Sequence, residues 1–338
     1  MLTIVLTAVA VLCGVRWHAW FAMPAEPVWT ADTLDIHFNT FAIDSPIHRP
    51  EGLFNSDTVA FNSETLRLLV FGDVHNSLSH DQYAAIAARH PGLTVYAQLG
   101  DFMDRGYFYH AQELVHQLDS TVFDSLPIIC CAGNHEYSKG IRRVLFPLWK
   151  EMFPQPQNGP INFIGRTYYV DFPYLRYIVI DTNGIHDLRD FTRVVTWLKS
   201  VLQFADSPAR SAVQPFTVVM MHHPVLSSAK GRFNPGVFTF FYRTLSRYAD
   251  LVLAGHDHNY ARRLPFVNLS SVTTRSRTPQ DALWGLIPFE KKAEGAFYAI
   301  LTVLPSSEAA PLSGPTLLLD VYTIDGELID SCSLQHRP

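Results

Sequence analysis

The stretch LTVYAQLGDFMDRG, from Leu93 to Gly106, decides the fold. Its first seven residues form an apolar run that predicts a buried β-strand, and Gly100 ends this run at a turn. Asp101, directly after the turn, would then lie at the carboxyl edge of an open α/β sheet, where such sheets build their sites. Taken alone, Asp101 fits the N-cap of a following helix equally well. The rest of the chain has to decide between these two interpretations.

The same arrangement occurs at four further predicted strand ends. Each apolar run is followed by a turn that is marked by Gly or Pro and carries oxygen or nitrogen donors. These donors include no thiolate and suit Mn, Fe, Zn or Co. Five such turns favour a metal site over a set of unrelated helix caps. The four further turns are Gly72-Asp73-Val74-His75, Gly133-Asn134-His135-Glu136, Met221-His222-His223-Pro224 and Gly255-His256-Asp257-His258-Asn259.

The spacing within two of these motifs has a physical interpretation. In an extended segment, residues i and i+2 point in the same direction. Asp73 and His75 would therefore bind one ion together. His256 and His258 would likewise reach one site or two adjacent ions.

Composition and charge limit the class of protein. The chain has 338 residues, of which 48% are hydrophobic and 17% charged, as expected for a globular enzyme with a sizeable core. The net charge of −5 gives no indication of a nucleic-acid binder. The four Cys include no CxxC pair, so a zinc-thiolate site is not predicted.

The N-terminus predicts export. Leu2 to Val15 is an uncharged, mostly apolar run that is shorter than the roughly 20 residues of a transmembrane helix. We interpret residues 1–24 as a signal peptide or membrane anchor, residues 25–64 as an entry arm and residues 65–338 as the main domain. This predicts a secreted, periplasmic or membrane-anchored extracytoplasmic protein, with possible membrane attachment through residues 2–24.

The order of predicted elements indicates a layered α/β sandwich. Strands alternate with helices up to Ala254, and from Phe297 onward only strands are predicted. Residues 141–152 have a helical pattern that Pro147 must bend or divide. Residues 272–292 are polar and irregular, and we expect a mobile insertion there. The predicted strands are 66–71, 93–99, 127–132, 168–172, 175–181, 215–221, 251–254, 297–303, 316–322 and 328–333, and the other predicted helices are 79–90, 111–118, 191–202 and 238–248.

The ordered motifs resemble those of the calcineurin-like metallophosphoesterase superfamily. The set D-x-H, G-D-x-x-D-R-G, G-N-H-E, H-x-P and G-H-x-H spans Asp73 to His258. The flanking sequences, among them residues 222–228 and 250–260, resemble the purple acid phosphatase branch. The resemblance implies an α/β fold, a layered α/β/β/α sandwich of two mixed β-sheets flanked by helices, with a dinuclear metal site at the carboxyl ends of the strands.

The resemblance also implies a role for each motif residue. Two divalent ions would share a hydroxide that attacks phosphorus. The first ion would be held by Asp73, His75, Asp101 and His258, and the second by Asp101, Asn134, His222 and His256. His135 would protonate the leaving oxygen, and the carboxylate of Asp104 would orient its ring. Arg105, Asn134 and His223 would contact the small phosphate-ester substrate, and Arg105 would bind its oxygens bidentately.

The implied reaction is metal-dependent hydrolysis of phosphate monoesters. Lys230 and Arg232 would favour a dianionic monoester. The alternative is a phosphodiesterase that acts on a cyclic nucleotide or an envelope phospholipid group, because both reactions use the same pair of ions. A non-catalytic binding scaffold of the same fold is a third hypothesis. A scaffold with a decayed site should lack a metal ligand or the general-acid histidine, and this chain lacks neither.

One departure from the purple acid phosphatases predicts a visible property. In their pattern an iron-binding tyrosine stands where this chain has Asp104, and His75 has no counterpart. We therefore expect the purified, metal-loaded protein to be colourless, and an absorption spectrum checks this. A broad charge-transfer band in the visible range would contradict it.

Overall fold

The computed structural model describes residues 65–118, 126–139, 143–172, 174–203, 216–305 and 315–335. The predicted signal peptide or anchor and the predicted entry arm lie outside these described residues. Within the described residues, no helix has both the length and the apolar character needed to cross a membrane.

The described residues form thirteen strands and six helices. The strands are β1 Leu66–Phe71, β2 Val95–Gln98, β3 Ile128–Cys130, β4 Tyr168–Phe172, β5 Leu175–Ile180, β6 Phe216–Met221, β7 Leu251–Ala254, β8 Tyr260–Arg263, β9 Phe266–Asn268, β10 Lys291–Ala293, β11 Phe297–Leu304, β12 Thr316–Thr323 and β13 Leu328–Gln335. The helices are α1 His80–Arg89, α2 Phe108–Leu118, α3 Trp149–Met152, α4 Leu188–Gln203, α5 Pro235–Tyr248 and α6 Ala282–Gly285.

The strands form two mixed sheets. The first has the order β13-β12-β11-β1-β2-β3, and the second has the order β10-β8-β9-β7-β6-β5-β4. In the first sheet β1, β2 and β3 are parallel, while β11 to β13 are antiparallel. In the second sheet β5, β6, β7 and β9 are parallel.

Strand β1 shows how the layers arise. Its sequence LRLLVF is almost continuously apolar, as expected for a strand covered on both faces. Leu68 and Val70 point into the core between the two sheets, whereas Leu69 and Phe71 point toward helices α1 and α2. The second sheet is covered on its outer face by α4 and α5. The result is the α/β/β/α sandwich, so the predicted fold class is confirmed.

The parallel strands carry the predicted motifs to one edge. The carboxyl ends of β1, β2 and β3 are followed by Asp73, Asp101 and Asn134, and those of β6 and β7 by His222 and His256. Because neighbouring parallel strands end on the same side of a sheet, these five residues can meet where the two sheets face each other.

The predicted helix over residues 141–152 is wrong over most of its length. Within its described part, residues 143–152, only Trp149–Met152 is helical. Pro147 has no N–H, and its ring would clash with the carbonyl of Arg143 in a continuous helix. Leu145 instead forms an antiparallel bridge with Tyr137.

The sequence patterns missed β8, β9 and β10. These strands have only three or four residues each and include polar side chains, as in YARR and KKA. They lie in the sheet because β8 pairs with both β9 and β10. Such short strands are specified by their neighbours more than by their own pattern.

Residues 272–292 are tied to the domain by main-chain hydrogen bonds. Arg277 N donates to the carbonyl oxygen of His258 at 2.8 Å, and Gln280 N donates to that of Ser228 at 2.7 Å. The predicted insertion therefore lies against the loops that carry the motifs.

Candidate metal centre

The loops after β1 and β2 run side by side. Asp73 N donates to the carbonyl oxygen of Gly100, and His75 N donates to that of Asp101, both at 3.0 Å. This pairing fixes both motif loops relative to each other. It places the side chains of Asp73, His75 and Asp101 at one point.

The backbone of the ligand loops is left-handed, and the extended conformation assumed for the D-x-H and H-x-H spacing is wrong. The φ angles are 47° at Asp73, 52° at His75, 51° at Asp101, 71° at His256 and 56° at His258. A non-glycine residue in this region costs roughly 1–2 kcal/mol. The paired side chains do converge, but they do so because the loops turn sharply and not because alternate residues of a strand share a face.

Asp101 lies at the centre of the candidate site. Its Oδ2 is 3.3 Å from Nε2 of His222, 3.6 Å from Nε2 of His75 and 4.0 Å from Nε2 of His135. Its Oδ1 accepts a hydrogen bond from His135 N at 2.8 Å. One carboxylate oxygen thus faces imidazoles from three different loops.

The structure brings together the four residues predicted for the first ion. Asp73, His75, Asp101 and His258 each offer one donor atom, and these atoms lie within 4.8 Å of one another. All four side chains are buried. This set matches the predicted set residue for residue, although the role of each residue as a ligand stays a prediction.

The residues predicted for the second ion meet around Nε2 of His222. Donor atoms of Asp101, His222 and His256 lie within 4.8 Å of one another. Oδ1 of Asn134 is 3.1 Å and Nδ1 of His256 is 3.2 Å from the same Nε2 atom. Asp101 belongs to both sets, as the predicted bridging role requires.

The donor atoms fit divalent metal ions. Both ring nitrogens of His75 and Oδ2 of Asp101 are buried and have no hydrogen-bond partner among the described residues. Buried polar atoms without partners are costly and rare, so they indicate a missing ligand. Burial lowers the pKa of His75 to about 4 and that of His258 to about 3. Both imidazoles are therefore neutral at pH 7, which metal binding requires.

The carboxylates set the charge of His222. Burial alone would lower the pKa of this imidazole, but the surrounding Asp101, Asp73 and Glu136 outweigh burial and raise it to about 9. Burial likewise favours a raised pKa for Asp101, but the neighbouring imidazoles, His222 first, hold it well below its usual range. Burial raises the pKa of Asp73 to about 7. The site is thus built around negative charge that needs compensation.

Two ligand histidines are oriented by backbone carbonyls. His222 donates from Nδ1 to the carbonyl oxygen of Leu99 at 3.1 Å, and His258 donates from Nδ1 to that of Arg275 at 3.0 Å. Because a carbonyl only accepts, Nδ1 carries the hydrogen and Nε2 is left for the site. Such contacts fix the tautomer and the ring orientation of metal-binding histidines.

His135 faces the site from the loop after β3. Its ring packs edge-on against that of His75, with centroids 4.4 Å apart. Its Nδ1 donates to the main-chain carbonyl of Asp104. His135 is therefore oriented by the backbone oxygen of Asp104 and not, as predicted, by its carboxylate. The carboxylate of Asp104 lies instead 2.8 Å from Nη1 of Arg275 and 3.5 Å from Nδ1 of His75.

The three residues predicted to contact substrate lie in different environments. Asn134 is half-buried beside His222. His223 is buried, with Nδ1 2.9 Å from the hydroxyl of Thr182 and its ring 4.5 Å from that of His256. Arg105 is half-buried, and its guanidinium has no hydrogen bond or ion pair with any described residue. His223 therefore packs against the ring of His256, whereas the guanidinium donors of Arg105 are free of partners among the described residues.

The buried side chain of Glu136 holds the loop that carries Asp101. This residue belongs to the G-N-H-E motif, but the sequence pattern assigned it no role. Its buried carboxylate accepts from the backbone N–H of Asp101 and Met103 at 2.9 Å and from that of Gly133 at 2.7 Å. It thus joins the loop after β2 to the loop after β3. A sequence pattern does not reveal such a contact, because the carboxylate binds backbone groups that every residue has.

Asp257 performs a similar task for the H-x-H loop, and the sequence pattern missed it too. Its buried carboxylate accepts from Ser227 Oγ, from the backbone and hydroxyl of Ser228, and from Nδ2 of Asn268. Asn268 belongs to an N-x-S sequence, but its side chain is buried in this network and also bonds to the carbonyl of Leu226. The network holds the loop that carries His256 and His258 in place.

Comparisons with known proteins agree with this geometry. A model of the calcineurin-like phosphoesterase family matches residues 66–260. The curated protein acid phosphatase type 7 of Danio rerio is 26% identical over an alignment of 219 residues, and the match covers 55% of this chain and 45% of that protein. The chain thus spans about half the length of this curated relative.

Two solved structures share the fold. One is GAP50, the anchor in the inner membrane complex of Plasmodium, with a TM-score of 0.57, 14% identity, and coverage of 81% of this chain and 90% of that chain. The other is the purple acid phosphatase PPD1 from yellow lupin (Lupinus luteus) seeds, with a TM-score of 0.55, 17% identity, and coverage of 81% and 54%. At these identities the two structures show the fold alone.

The Glu136 contacts predict an effect on metal binding. In Glu136→Gln the amide NH₂ replaces one acceptor oxygen and faces a backbone N–H, so the loop that carries Asp101 shifts. We expect the metal affinity to fall by about 10–100-fold, the size typical for residues that orient ligands. Competition with a coloured chelator measures it. The matched control is Glu113→Gln, in which an exposed carboxylate of helix α2 changes in the same way. An affinity of Glu136→Gln within about twofold of the control would contradict this support role.

Proposed function

Because the chain belongs to the calcineurin-like phosphoesterase family, whose members are hydrolases of phosphoric ester bonds, we propose that it hydrolyses phosphate monoesters at a centre of two divalent metal ions. The family resemblance inferred from the ordered motifs is confirmed by the family model. The monoester preference, the residue roles and the identity of the ions are parts of the proposal.

One observation carries the proposal. Oδ2 of Asp101 lies between the donor atoms of two groups, and each group matches one predicted ligand set. One carboxylate shared by two ligand sets is the arrangement that places two ions close together. Two such ions, when bound, neutralise the charge of a phosphoryl group and activate water near neutral pH.

His135 is the proposed general acid. Its Nδ1 is bound to the carbonyl of Asp104, and its Nε2 points into the site 4.0 Å from Oδ2 of Asp101. A proton on Nε2 is therefore held where a leaving oxygen would depart. The side chain is only 17% exposed, so the proton would pass to the leaving oxygen at a position largely shielded from solvent.

Arginines around the ligands favour a dianionic substrate. Arg232 donates from Nη1 to the carbonyl oxygen of His256 at 2.5 Å, which places it beside the second ligand set. Arg275 lies beside the first set through its contacts with His258 and Asp104. A guanidinium binds phosphate oxygens in a fixed, bidentate geometry. The relative from Danio rerio is an acid phosphatase, which supports the same preference.

The fold alone does not carry the proposal, because one fold hosts many functions. GAP50, which has the same fold, is the anchor in a membrane complex. The alternative of a non-catalytic scaffold is disfavoured by the presence of every predicted ligand and of His135 around one point.

We also propose an extracytoplasmic location, either secreted, periplasmic or membrane-anchored. The apolar run in residues 2–15 supports this. Residues 1–24, as signal peptide or anchor, stay a prediction.

Paired substrates test the monoester preference. With Mn, Fe, Zn or Co added to metal-free protein, we expect kcat/KM for p-nitrophenyl phosphate to exceed that for the bis ester by about tenfold or more, which corresponds to about 1.4 kcal/mol of transition-state stabilisation. The physical reason is the second negative charge of the monoester beside Arg232 and Arg275. Faster hydrolysis of the bis ester would establish the phosphodiesterase alternative instead. No turnover of either ester with any of these metals would support the scaffold.

A comparison of substrates with poor and good leaving groups tests the role of His135 as general acid. We expect His135→Ala to lower kcat for an alkyl phosphate by about 10²–10⁴-fold, the usual contribution of a general acid. The loss should be much smaller for p-nitrophenyl phosphate, because p-nitrophenolate leaves readily without a proton. His116→Ala, at an exposed position of helix α2, is the control. An equal loss for both substrates would show that His135 acts in binding or structure and not as the acid.

A further inference from the structure

The two most exposed large apolar side chains among the described residues lie two positions apart. Trp284 and Leu286 are each 79% exposed. They lie at the tip of a turn whose residues Leu283, Trp284 and Gly285 all have positive φ angles, of 48°, 57° and 90°. Because two of these three residues have bulky side chains, this backbone is unusual and keeps the tip turned outward.

The base of this turn is fixed. Ala282 N donates to the carbonyl oxygen of Ile287 at 2.9 Å, and Ile287 N donates back to that of Ala282 at 3.1 Å. Ala282 and Phe289 are buried in the core on the outer face of the second sheet. The apolar tip is thus presented on a fixed base and is not a loose loop.

The surface around the tip is basic, although the chain is acidic overall. Residues 229–233 and 272–294 together contain six Lys and Arg and three Asp and Glu, in a chain with a net charge of −5. Each of the three acids already has a partner: Asp281 contacts Lys292, Glu290 contacts Arg262, and Glu294 accepts from Thr278. By contrast, three of the cations are exposed and have no ion pair within the described part of the chain, namely Lys230, Arg277 and Lys291.

The tip adjoins the candidate metal centre. The ring of Trp284 is 5.8 Å from that of Phe233, in the loop after β6. The preceding residue, Arg232, binds the carbonyl of His256, which belongs to the second ligand set. A partner that binds the tip therefore lies next to the opening of the site.

These features identify the class of partner. A tryptophan beside exposed cations is typical of protein surfaces that lie at a membrane interface. Two side chains on a convex turn bury far less than the roughly 800 Å² per partner of a stable protein interface. Isolated exposed apolar residues need no explanation, but an adjacent pair on a fixed base with a basic surround does.

We propose that residues 283–287, called here the apolar tip, dock the protein on an anionic lipid surface, with the basic side chains around the tip against the headgroups. Docking would bring the candidate metal centre close to phosphate-bearing headgroups. Only this last consequence rests on the proposed function, because the docking itself needs no catalysis.

Vesicle binding by the full-length chain tests the proposal. The measurement is co-sedimentation with vesicles of phosphatidylcholine, with or without phosphatidylserine. We expect the wild type to prefer the vesicles that contain phosphatidylserine. W284S/L286S should lose about tenfold or more in partition coefficient, because interfacial binding scales with the buried apolar area. The matched control is Leu188→Ser, which changes a 66% exposed apolar side chain on helix α4.

Residues 2–15 are common to all these variants, so any binding they contribute cancels in the comparison. Hydrolysis of soluble p-nitrophenyl phosphate should be the same in W284S/L286S, Leu188→Ser and the wild type. If this hydrolysis is absent in all three, the proposed function fails but the vesicle result still stands.

A second readout reports on the tip directly. Lipids brominated in their acyl chains should quench the tryptophan fluorescence of the wild type more than that of Trp284→Phe. Equal vesicle binding by W284S/L286S and Leu188→Ser, or no binding by the wild type, would overturn the proposal. Loss of a dimer in W284S/L286S without any effect on vesicles would show instead that the tip contacts another protein chain.

Discussion

The site depends on backbone hydrogen bonds that two buried carboxylates accept from other loops. One carboxylate bonds to a loop of the other sheet, and the second bonds to a neighbouring loop. Asp73, at the end of β1 in the first sheet, accepts from the backbone N–H of His256, at the end of β7 in the second sheet, at 2.7 and 2.8 Å. Asp101 accepts from the backbone N–H of His135. Each carboxylate therefore belongs to one loop and accepts a hydrogen bond from the backbone of a second loop. It joins the two loops in this way. Without these contacts the residues of each ligand set, which come from loops of both sheets, would not be held at one point.

The loops that hold these carboxylates together have a strained backbone, and contacts from several other residues keep the loops in that conformation. Five of the predicted ligands have left-handed backbone, which is unfavourable for any residue with a Cβ. Strained backbone of this kind persists only where several contacts with the surrounding structure hold it in place. Here Glu136 accepts from two N–H groups of the Asp101 loop and one of the loop after β3, and Asp257 fixes the His256 loop through Ser227, Ser228 and Asn268. The strain is thus located where the ligands must turn toward one point.

The sequence predicted which residues meet at the candidate site because the pattern that marks these residues is local. An apolar run, a Gly or Pro and a metal-type side chain are adjacent in the chain, and parallel strands then bring such ends together. The supporting residues Glu136, Asp257 and Arg275 give no such signal, since their partners are backbone groups or lie far away in the sequence. Asp257 and Asn268, for example, meet only because β7 and β9 are neighbours. The missed strands β8 to β10 have the same origin, because tertiary pairing outweighs weak local preference there, whereas the predicted helix before Trp149 is broken locally by Pro147.

The charge balance of the site connects the fold to its chemistry. Asp101, Asp73 and Glu136 raise the pKa of His222 to about 9, against the effect of burial. A proton on that imidazole compensates the carboxylates, and so does a divalent ion, which needs the same ring deprotonated. Binding of the second ion therefore releases a proton and is favoured as the pH rises. In the first set burial keeps His75 and His258 neutral at pH 7, so the proton that competes with metal there is the one on Asp73, whose pKa burial raises to about 7. The two ligand sets that share Asp101 thus differ in which group the competing proton occupies, an imidazole in the second set and a carboxyl group in the first.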